Sequence, residues 1–339
     1  MVSLKDIAKA CGVSAATVSK ALNGQLDVSE KTRLKIKEAA ARLGYMPNAS
    51  ARALKTKHTC NLGILFADDR NSGLTHDYFS AIIESFKKTA EKKGYDITFL
   101  NTSLPERSYY EHCRYRGLDG VVIACIDFDQ PDVQELIKSD LPVVTIDRIF
   151  DGKPAVVSDN VGGMTALMEY ICSCGHRKIA YIHGHDSSST RNRLIGYHRV
   201  LEKYGIKVRE EFLLETGYRD AEETGKMTGK LLELQDPPTC IIFPDDFASI
   251  GGINEIRRRG LQIPGDVSTA GYDGSVISRV LSPKLASLRQ DVDTIGKRSA
   301  ELLIDLIERP KVTGTEIVYV SGSLQEGESV KHLAVDQAD

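Results

Sequence analysis

Metal-ligating side chains crowd together twice in this chain, at Cys172-x-Cys174-x-His176 and at His183-x-His185-Asp186. A structural zinc site needs four ligands, usually from two paired runs, and no second C-x-x-C completes either group. No metal site is expected. Nucleophilic and nucleotide chemistry also lack their minimal parts. The chain holds no G-x-S-x-G, no G-x-x-x-x-G-K-[ST] and no G-x-G-x-x-G after a strand, the patterns that expose a serine, cradle phosphates or approach a pyrophosphate. Neither catalysis nor a cofactor is expected. The seven cysteines are odd in number and scattered, and a chain this long buries a sufficient core without cross-links, so reduced thiols are the simplest reading.

What the residues can do is bind an anion. The net charge of −3 conceals a division: residues 1–58 carry 11 Lys+Arg against 4 Asp+Glu, a net of +7, and the other 281 carry 33 against 43, a net of −10. A small basic module ahead of a large acidic body points to a polyanion; duplex DNA, with one phosphate charge per roughly 1.7 Å of axis, is the obvious partner. A solvated basic face is the plainer alternative. The 339 residues, 41% hydrophobic and 27% charged, are ordinary globular composition for at least two domains. The longest apolar runs, 120–126 and 141–146, fall far short of the roughly 20 residues that span a bilayer. The N-terminal residues lack the apolar core and cleavage site of a secretory signal. A cytoplasmic protein with no membrane segment is expected.

Three short amphipathic helices can be read in the basic module. Ser3 and, three residues on, Asp6 resemble a capping box; Ile7, Ala8 and Cys11 share one face, and Gly12 stops the helix. Ser14 is a good N-cap for a second helix over 15–23, with Val18, Ala21 and Leu22 at helical spacing and Asn23-Gly24 as terminator. The third begins near Ser29, aligns Ile36, Ala39, Ala40 and Leu43, and ends at Gly44. Two short helices around a glycine-containing turn make a helix-turn-helix, which the third closes into a miniature core. The start of the second helix, with Ala15, Ala16, Thr17 and Lys20, is left free to enter a major groove.

These residues, SLKDIAKACGVSAATVSKALNG and then VSEKTRLKIKEAAARLGYMPNASARALK, resemble the DNA-binding headpiece of the LacI/GalR family of bacterial transcriptional regulators without a gap through Leu54. The shared patterns are A-x-x-x-G-V-S-x-x-T-V-S and Y-x-P-N-x-x-A-R-x-L. The resemblance implies that Ser14, Thr17 and Ser19 help anchor phosphates, while Ala15, Ala16 and Lys20 lie where the family reads bases. Two departures matter: the alanines offer only methyl contacts, and Lys20 replaces the usual arginine, losing its planar fork. Lys20 is either a base reader or a plain phosphate contact. Residues 47–55 start with proline and are alanine-rich, but about two turns of helix would fray alone. The resemblance implies a hinge helix that folds when two copies meet in the minor groove. Leu54 would then wedge into a base step, with Asn48 and Ala51 against DNA or the partner helix. A flexible linker is the alternative.

Beyond residue 58, apolar runs alternate with helical periods. Strands are expected at 61–67, 95–100, 120–126 and 143–146, with Phe79, Ile82, Ile83, Phe86 and Ala90 marking a helix after the first. Helices at 161–174, 193–204, 221–234 and 247–259 then alternate with strands at 178–183, 212–216, 239–243 and 267–270. A helix carrying Val292, Ile295, Ala300, Leu303 and Ile307 and a strand near 316–320 precede a polar tail. Such alternation implies an α/β body with parallel sheets covered on both faces. Two doubly wound sheets place their strand C-terminal loops face to face across a cleft, a natural small-molecule site. Tyr218 and Asp127, each following a strand, point there.

The body resembles the same family's periplasmic-binding-protein-like core over nearly its whole length, in GYDITFL, VVSDNVGGM, CGHRKIAYI, RLIGYHRVL, FPDDFASIGGINEIRRRGLQIPGDVSTAGYDG and LRQDVDTIGKRSAELLIDLI. The implied architecture is an all-α helix-turn-helix headpiece over 1–58, followed by an effector-binding and dimerisation domain over 59–339. In that domain the chain would cross three times between an N-subdomain (60–160 plus 291–322) and a C-subdomain (162–290) of doubly wound parallel sheet. By motif position the family holds effector at Arg193 in RLIGY, Asp273 in GYDG, Asp245 and Asp246 in FPDDF, Arg148 in IDR, and Tyr78 and Phe79 before the first body helix. Charged groups that pair with vicinal hydroxyls beside aromatic faces are the chemistry of sugar recognition. Aspartate at 245 replaces the family's usual asparagine, and a third acid hints at a polar or amino-bearing effector. Residues 68–79 depart from the family's short D-x-x-N-P-F-F turn and form either a lid or a solvated loop.

Together these features imply a ligand-responsive homodimeric repressor of carbohydrate-utilisation genes. It would bind near-palindromic double-stranded operator DNA at the nucleoid of a bacterial cytoplasm. A nucleobase or phosphorylated corepressor in the same fold is one alternative. A sugar-binding receptor is another, against which the basic head and the missing export signal speak. The tail 325–339 has no leucine heptad, so no tail-mediated tetramer is expected.

Overall fold

The computed structural model describes residues 2–22, 27–46, 58–67, 73–102, 107–312 and 314–333. The chain divides into two compact units, Met1–Thr59 and Cys60–Asp339. In the first, local capping sets the helix limits. Helix α1 (Leu4–Cys11) follows Ser3, whose backbone N and Oγ each lie 2.8 Å from Asp6 Oδ2, and ends at Gly12 in the left-handed region with φ 69°. Helix α2 (Ala15–Leu22) is preceded by Ser14, whose Oγ accepts the Thr17 N–H at 3.1 Å, and α3 (Glu30–Leu43) by Ser29, whose Oγ accepts from Thr32 at 3.3 Å. Ile7, Cys11, Val18, Ala21, Val28, Ile36 and Ala39 close one core. Leu43, expected on the buried face, is 36% exposed. It is the last residue of α3, where the apolar face has run past the core. The expected terminator at 23–24, the hinge helix with Asn48, Ala51 and Leu54, and loop residues 68–72 lie outside the described residues.

The second unit begins with β1 (Asn61–Phe66), α4 (Asp77–Lys92), β2 (Asp96–Phe99), α5 (Tyr109–Arg116), β3 (Gly120–Ala124), α6 (Pro131–Lys138), β4 (Val143–Ile146) and β5 (Ala155–Ser158). It continues with α7 (Asn160–Ser173), β6 (Ile179–His183), α8 (Ser188–Lys203), β7 (Leu213–Glu215), α9 (Ala221–Leu232), β8 (Cys240–Ile242), α10 (Asp246–Arg258), β9 (Ser268–Asp273), α11 (Val276–Val280) and β10 (Ala286–Arg289). Helix α12 (Val292–Glu308), β11 (Ile317–Val320) and β12 (Ser323–Gln325) follow. Two six-stranded sheets result, ordered β11-β5-β4-β3-β1-β2 and β12-β10-β9-β8-β6-β7. Every pairing is parallel except that of β12 with β10.

Continuous apolar strands are what a parallel sheet covered on both faces requires. On β3, Val122 and Ala124 join a core with Ile82 and Phe86 of α4 and Leu303 of α12, while Val121 and Ile123 join one with Cys113 of α5 and Val133 and Leu136 of α6. The period of two thus divides one strand between two cores. In the second sheet, α7 and α8 cover one face and α9 and α10 the other.

The chain passes between the sheets three times, at residues 158–160, 289–292 and 320–323. All three crossings leave from the two outermost strands on one side of a sheet, β11 and β5 of the first or β12 and β10 of the second. Strands β5, β10 and β12 and helix α11 were not expected from periodicity, being three to five residues long and mostly serine-containing. The expected polar tail is partly structural. Ser329 Oγ donates to Thr269 O at 2.6 Å, Leu333 N to Cys174 O at 2.8 Å, and His176 Nε2 lies 3.1 Å from Lys331 O. His176, in the run first weighed as a metal site, therefore pins this segment. Among the described residues no His/Cys/Asp/Glu group is arranged to hold a metal, and no helix is long and apolar enough to cross a membrane.

Candidate functional site

In the first unit, α2 turns Val18 and Ala21 into the core, leaving Ser14, Ala16 and Lys20 exposed and Ala15, Thr17 and Ser19 half-buried. Ser14 Oγ lies 2.8 Å from Thr17 Oγ1, so the cap hydroxyl is itself oriented. Lys20 Nζ donates to Asp27 Oδ2, and this bond holds the Asp27 carboxyl below its ordinary range.

In the second unit, the loops at the C-terminal ends of the two sheets enclose a cavity of about 550 Å³. The first half contributes Tyr78 and Phe79 from α4, Asp127 and Phe128 beyond β3, and Asp147 and Arg148 beyond β4. The second contributes Ser187 to Arg193 around the start of α8, Tyr218 and Arg219 beyond β7, Asp245 beyond β8 and Asp273 at the end of β9. Gln290, in a crossing, also lines it. Eight of the nine residues assigned to effector from the sequence are thus gathered on one wall system.

Arg193 is 5% exposed and fully engaged behind the wall. Its Nε donates to Asn160 Oδ1 at 2.8 Å, its Nη1 to Pro244 O at 2.9 Å, and its Nη2 stands 3.8 Å from Asp273 Oδ1. The guanidinium lies over the Tyr272 ring, 3.6 Å from its centroid, with the Tyr218 ring at 5.5 Å. Arg193 sits in the second turn of α8, not at its start as the sequence suggested, because Ser187 caps the helix earlier by accepting from Thr190 N at 3.1 Å. Tyr218 packs against Gly184, where any Cβ would come within 2.2 Å of its ring, and its hydroxyl lies 2.8 Å from Thr190 Oγ1.

Four aspartates lie near this cation, Asp245 and Asp246 buried and Asp147 and Asp273 partly buried. Asp273 takes the Gln290 Nε2 hydrogen bond at 2.7 Å; burial, only partly offset by Arg193, pushes its carboxyl up to about 7. Asp147 accepts from Ser158 N at 2.8 Å, and burial raises it as well. Asp245 lines the cavity, but as the N-cap of α10 it gives one oxygen to Ala248 N and the other to Arg219 N, both at 2.7 Å. Asp246 does not line the cavity. It points inward, accepting from Ser287 Oγ at 2.7 Å and Ser275 N at 2.6 Å, so its assignment to effector is corrected to a loop-holding role.

Tyr78 is also largely walled in, its hydroxyl 3.1 Å from Ser158 Oγ and 3.3 Å from both Asp147 Oδ2 and Gln290 Oε1. Asp127 stands at the exposed rim, and Arg148 pairs with Asp129 at 3.6 Å. Asp147, Arg219 and Gln290 were missed by sequence reading, although each adjoins a residue or motif already singled out. For Asp147 and Arg219 the signal is backbone geometry: with Cys125 and Asp273 they line the cavity with φ between 49° and 96°. Non-glycine residues hold that conformation only where the surroundings impose it.

A helix-turn-helix unit and a two-sheet body with a cavity between its strand ends define a DNA-binding transcriptional repressor with a periplasmic-binding-protein-like effector domain. Residues 3–48 match the model of bacterial regulatory proteins, lacI family, and residues 168–330 that of the periplasmic binding protein-like domain. The probable HTH-type transcriptional repressor ExuR of Bacillus subtilis is 29% identical over 337 residues, covering 98% of this chain and 99% of that protein. The HTH-type transcriptional repressor PurR of Photobacterium profundum is 29% identical, covering 91% and 92%. The lac repressor dimer bound to operator and the anti-inducer ONPF superposes with a TM-score of 0.79 at 27% identity, covering 97% and 99%. A CelR–cellobiose complex gives 0.71 at 25% identity, covering 97% and 100%. The chain belongs to the lacI family of bacterial regulatory proteins. Regulators of this family are not enzymes.

Proposed function

We propose that this repressor binds a near-palindromic operator as a homodimer, through α2 and the hinge segment 47–55, and that its cavity takes a small polyhydroxylated effector, a sugar or sugar derivative. The observation that carries the effector reading is the juxtaposition of Arg193 and Asp273 with the Tyr218 ring in the wall of a cavity of about 550 Å³. That volume suits one or two sugar rings, and the groups supply donors, acceptors and an apolar face. The cellobiose-bound relative supports the same class of ligand. A nucleobase is the second reading, favoured by Phe79, Phe128 and Tyr218 in the same wall. An effector that binds two body conformations unequally changes operator affinity, and operator changes effector affinity by the same factor, typically about 5- to 150-fold.

A thermal-shift panel of neutral sugars, amino sugars and nucleobases tests the reading, because a ligand at 100 times its Kd adds about 2.7 kcal/mol of stability. The compound that shifts melting should also shift operator affinity. A compound that stabilises the protein without moving operator binding, or a panel of sugars without a hit, would defeat the proposal.

A further inference from the structure

Arg219 does more than line the cavity. It follows β7, the strand at the far edge of the second sheet from the three crossings. Its backbone is left-handed, φ 55°, and two contacts within its own half account for that conformation. Its N–H donates to Asp245 Oδ2 at 2.7 Å, and its guanidinium covers the Phe247 ring, 4.2 Å from the centroid. The tip then reaches the other half: Nη1 donates to Asp77 Oδ1, the first residue of α4, and Nη2 to Thr75 O at 3.2 Å. The arginine side chain is 13% exposed. By contrast, Arg191 pairs with Asp186 and Arg148 with Asp129, each inside its own half. A second bond between the halves, Ser188 Oγ to Asp147 O at 2.8 Å, lies along another wall.

We propose that Arg219 is a positioning residue, a clamp between the two halves on the side away from the crossings that limits how far the cavity opens and so how long an effector stays inside. The position gives it the longest lever arm against rotation about the crossings. The residue type fits as well, because a planar fork serves a carboxylate and a carbonyl at once where an ammonium would not. This inference rests on the effector reading of the cavity, since a cavity that takes nothing needs no clamp.

The test is hydrogen exchange on the full-length protein. Arg219→Ala should speed exchange about fivefold not only at residues 217–220 but also at 77–82 across the cavity, in line with losing a partly buried ion pair. Asp77→Asn should do the same from the other side, the double variant should add nothing further, and Asp77→Arg combined with Arg219→Asp should restore protection. If Arg219→Ala loosens 217–220 alone, the contact is local and the clamp is wrong. Should Arg219→Ala fail to fold, Asp77→Asn reads the same coupling, and unchanged exchange at 217–220 would overturn it. The two proposals fail separately. A sugar and nucleobase panel without a hit removes the effector reading while the exchange coupling stands; a hit whose dissociation rate is unchanged in Asp77→Asn removes the clamp alone.

Discussion

Along α2, Ser14, Ala16 and Lys20 stand at the surface, held by one hydroxyl pair and one half-exposed ion pair. In the cavity, Arg193 and Asp245 are buried and Asp273 nearly so, and each already has a donor or acceptor from the protein. The difference teaches that the two sets of residues answer to different pressures. A surface residue of α2 such as Ala16 or Lys20 can change and leave the fold alone, because its side chain, unlike those of Val18 and Ala21, contributes little to the core. A residue of the cavity already holds the wall together, so changing it alters stability before any effector is added.

Arg193→Ala tests this most severely. It strips Asn160 Oδ1 and Pro244 O of their donor and leaves Asp273 without its cation. The expected loss is about 3–5 kcal/mol in denaturant unfolding, and a variant as stable as the parent would erase the contrast between the regions. Lys20→Ala should act the opposite way, leaving unfolding within about 0.5 kcal/mol while relaxing preference at one base pair per half-site by about 1–3 kcal/mol. Equal weakening on every duplex would make Lys20 a phosphate contact. Asp245→Ala should cost about 1 kcal/mol through its lost helix cap, and Asp245→Asn less, because an amide oxygen still accepts from Ala248 N. An asparagine variant as unstable as the alanine one would mean that the charge, not the cap, matters.

The last effect is one of slope. With its carboxyl raised to about 7 in the fold against an ordinary 3.8, Asp273 binds a proton in the folded chain that the unfolded chain has released between those values. Its contribution to stability therefore falls as pH rises from about 4 to about 7 and levels off above. Asp273→Asn should flatten that part of the stability profile; an unchanged profile would show that Asp273 is ionised throughout.

How much of this was legible depended on how local the cause was. The head's caps at Ser3, Ser14 and Ser29 and its glycine stop at Gly12 act within four residues, and the sequence pattern locates them. The long apolar strands were equally plain, since burial on both faces leaves no polar position to obscure them. Strand β10 escaped because its Ser287 is satisfied by a distant partner, Asp246, and β12 because it is only three residues long. Asp245 and Asp246 look interchangeable in FPDDF, yet the step from N-cap to first helical residue turns one toward the cavity and the other inward. Arg219 and Gln290 owe their place to contacts with residues 142 and 17 positions away, which no spacing rule anticipates.

The three crossings have a mechanical consequence. Joints of so few residues, all on one side of the sheets, favour bending about that side over sliding or twisting of the halves. Two joint residues also reach into the binding wall: Asn160 holds Arg193, and Gln290 holds Asp273. A molecule that pulled on those charges would pull directly on the joints, so that its binding energy would be felt as an angle between the halves.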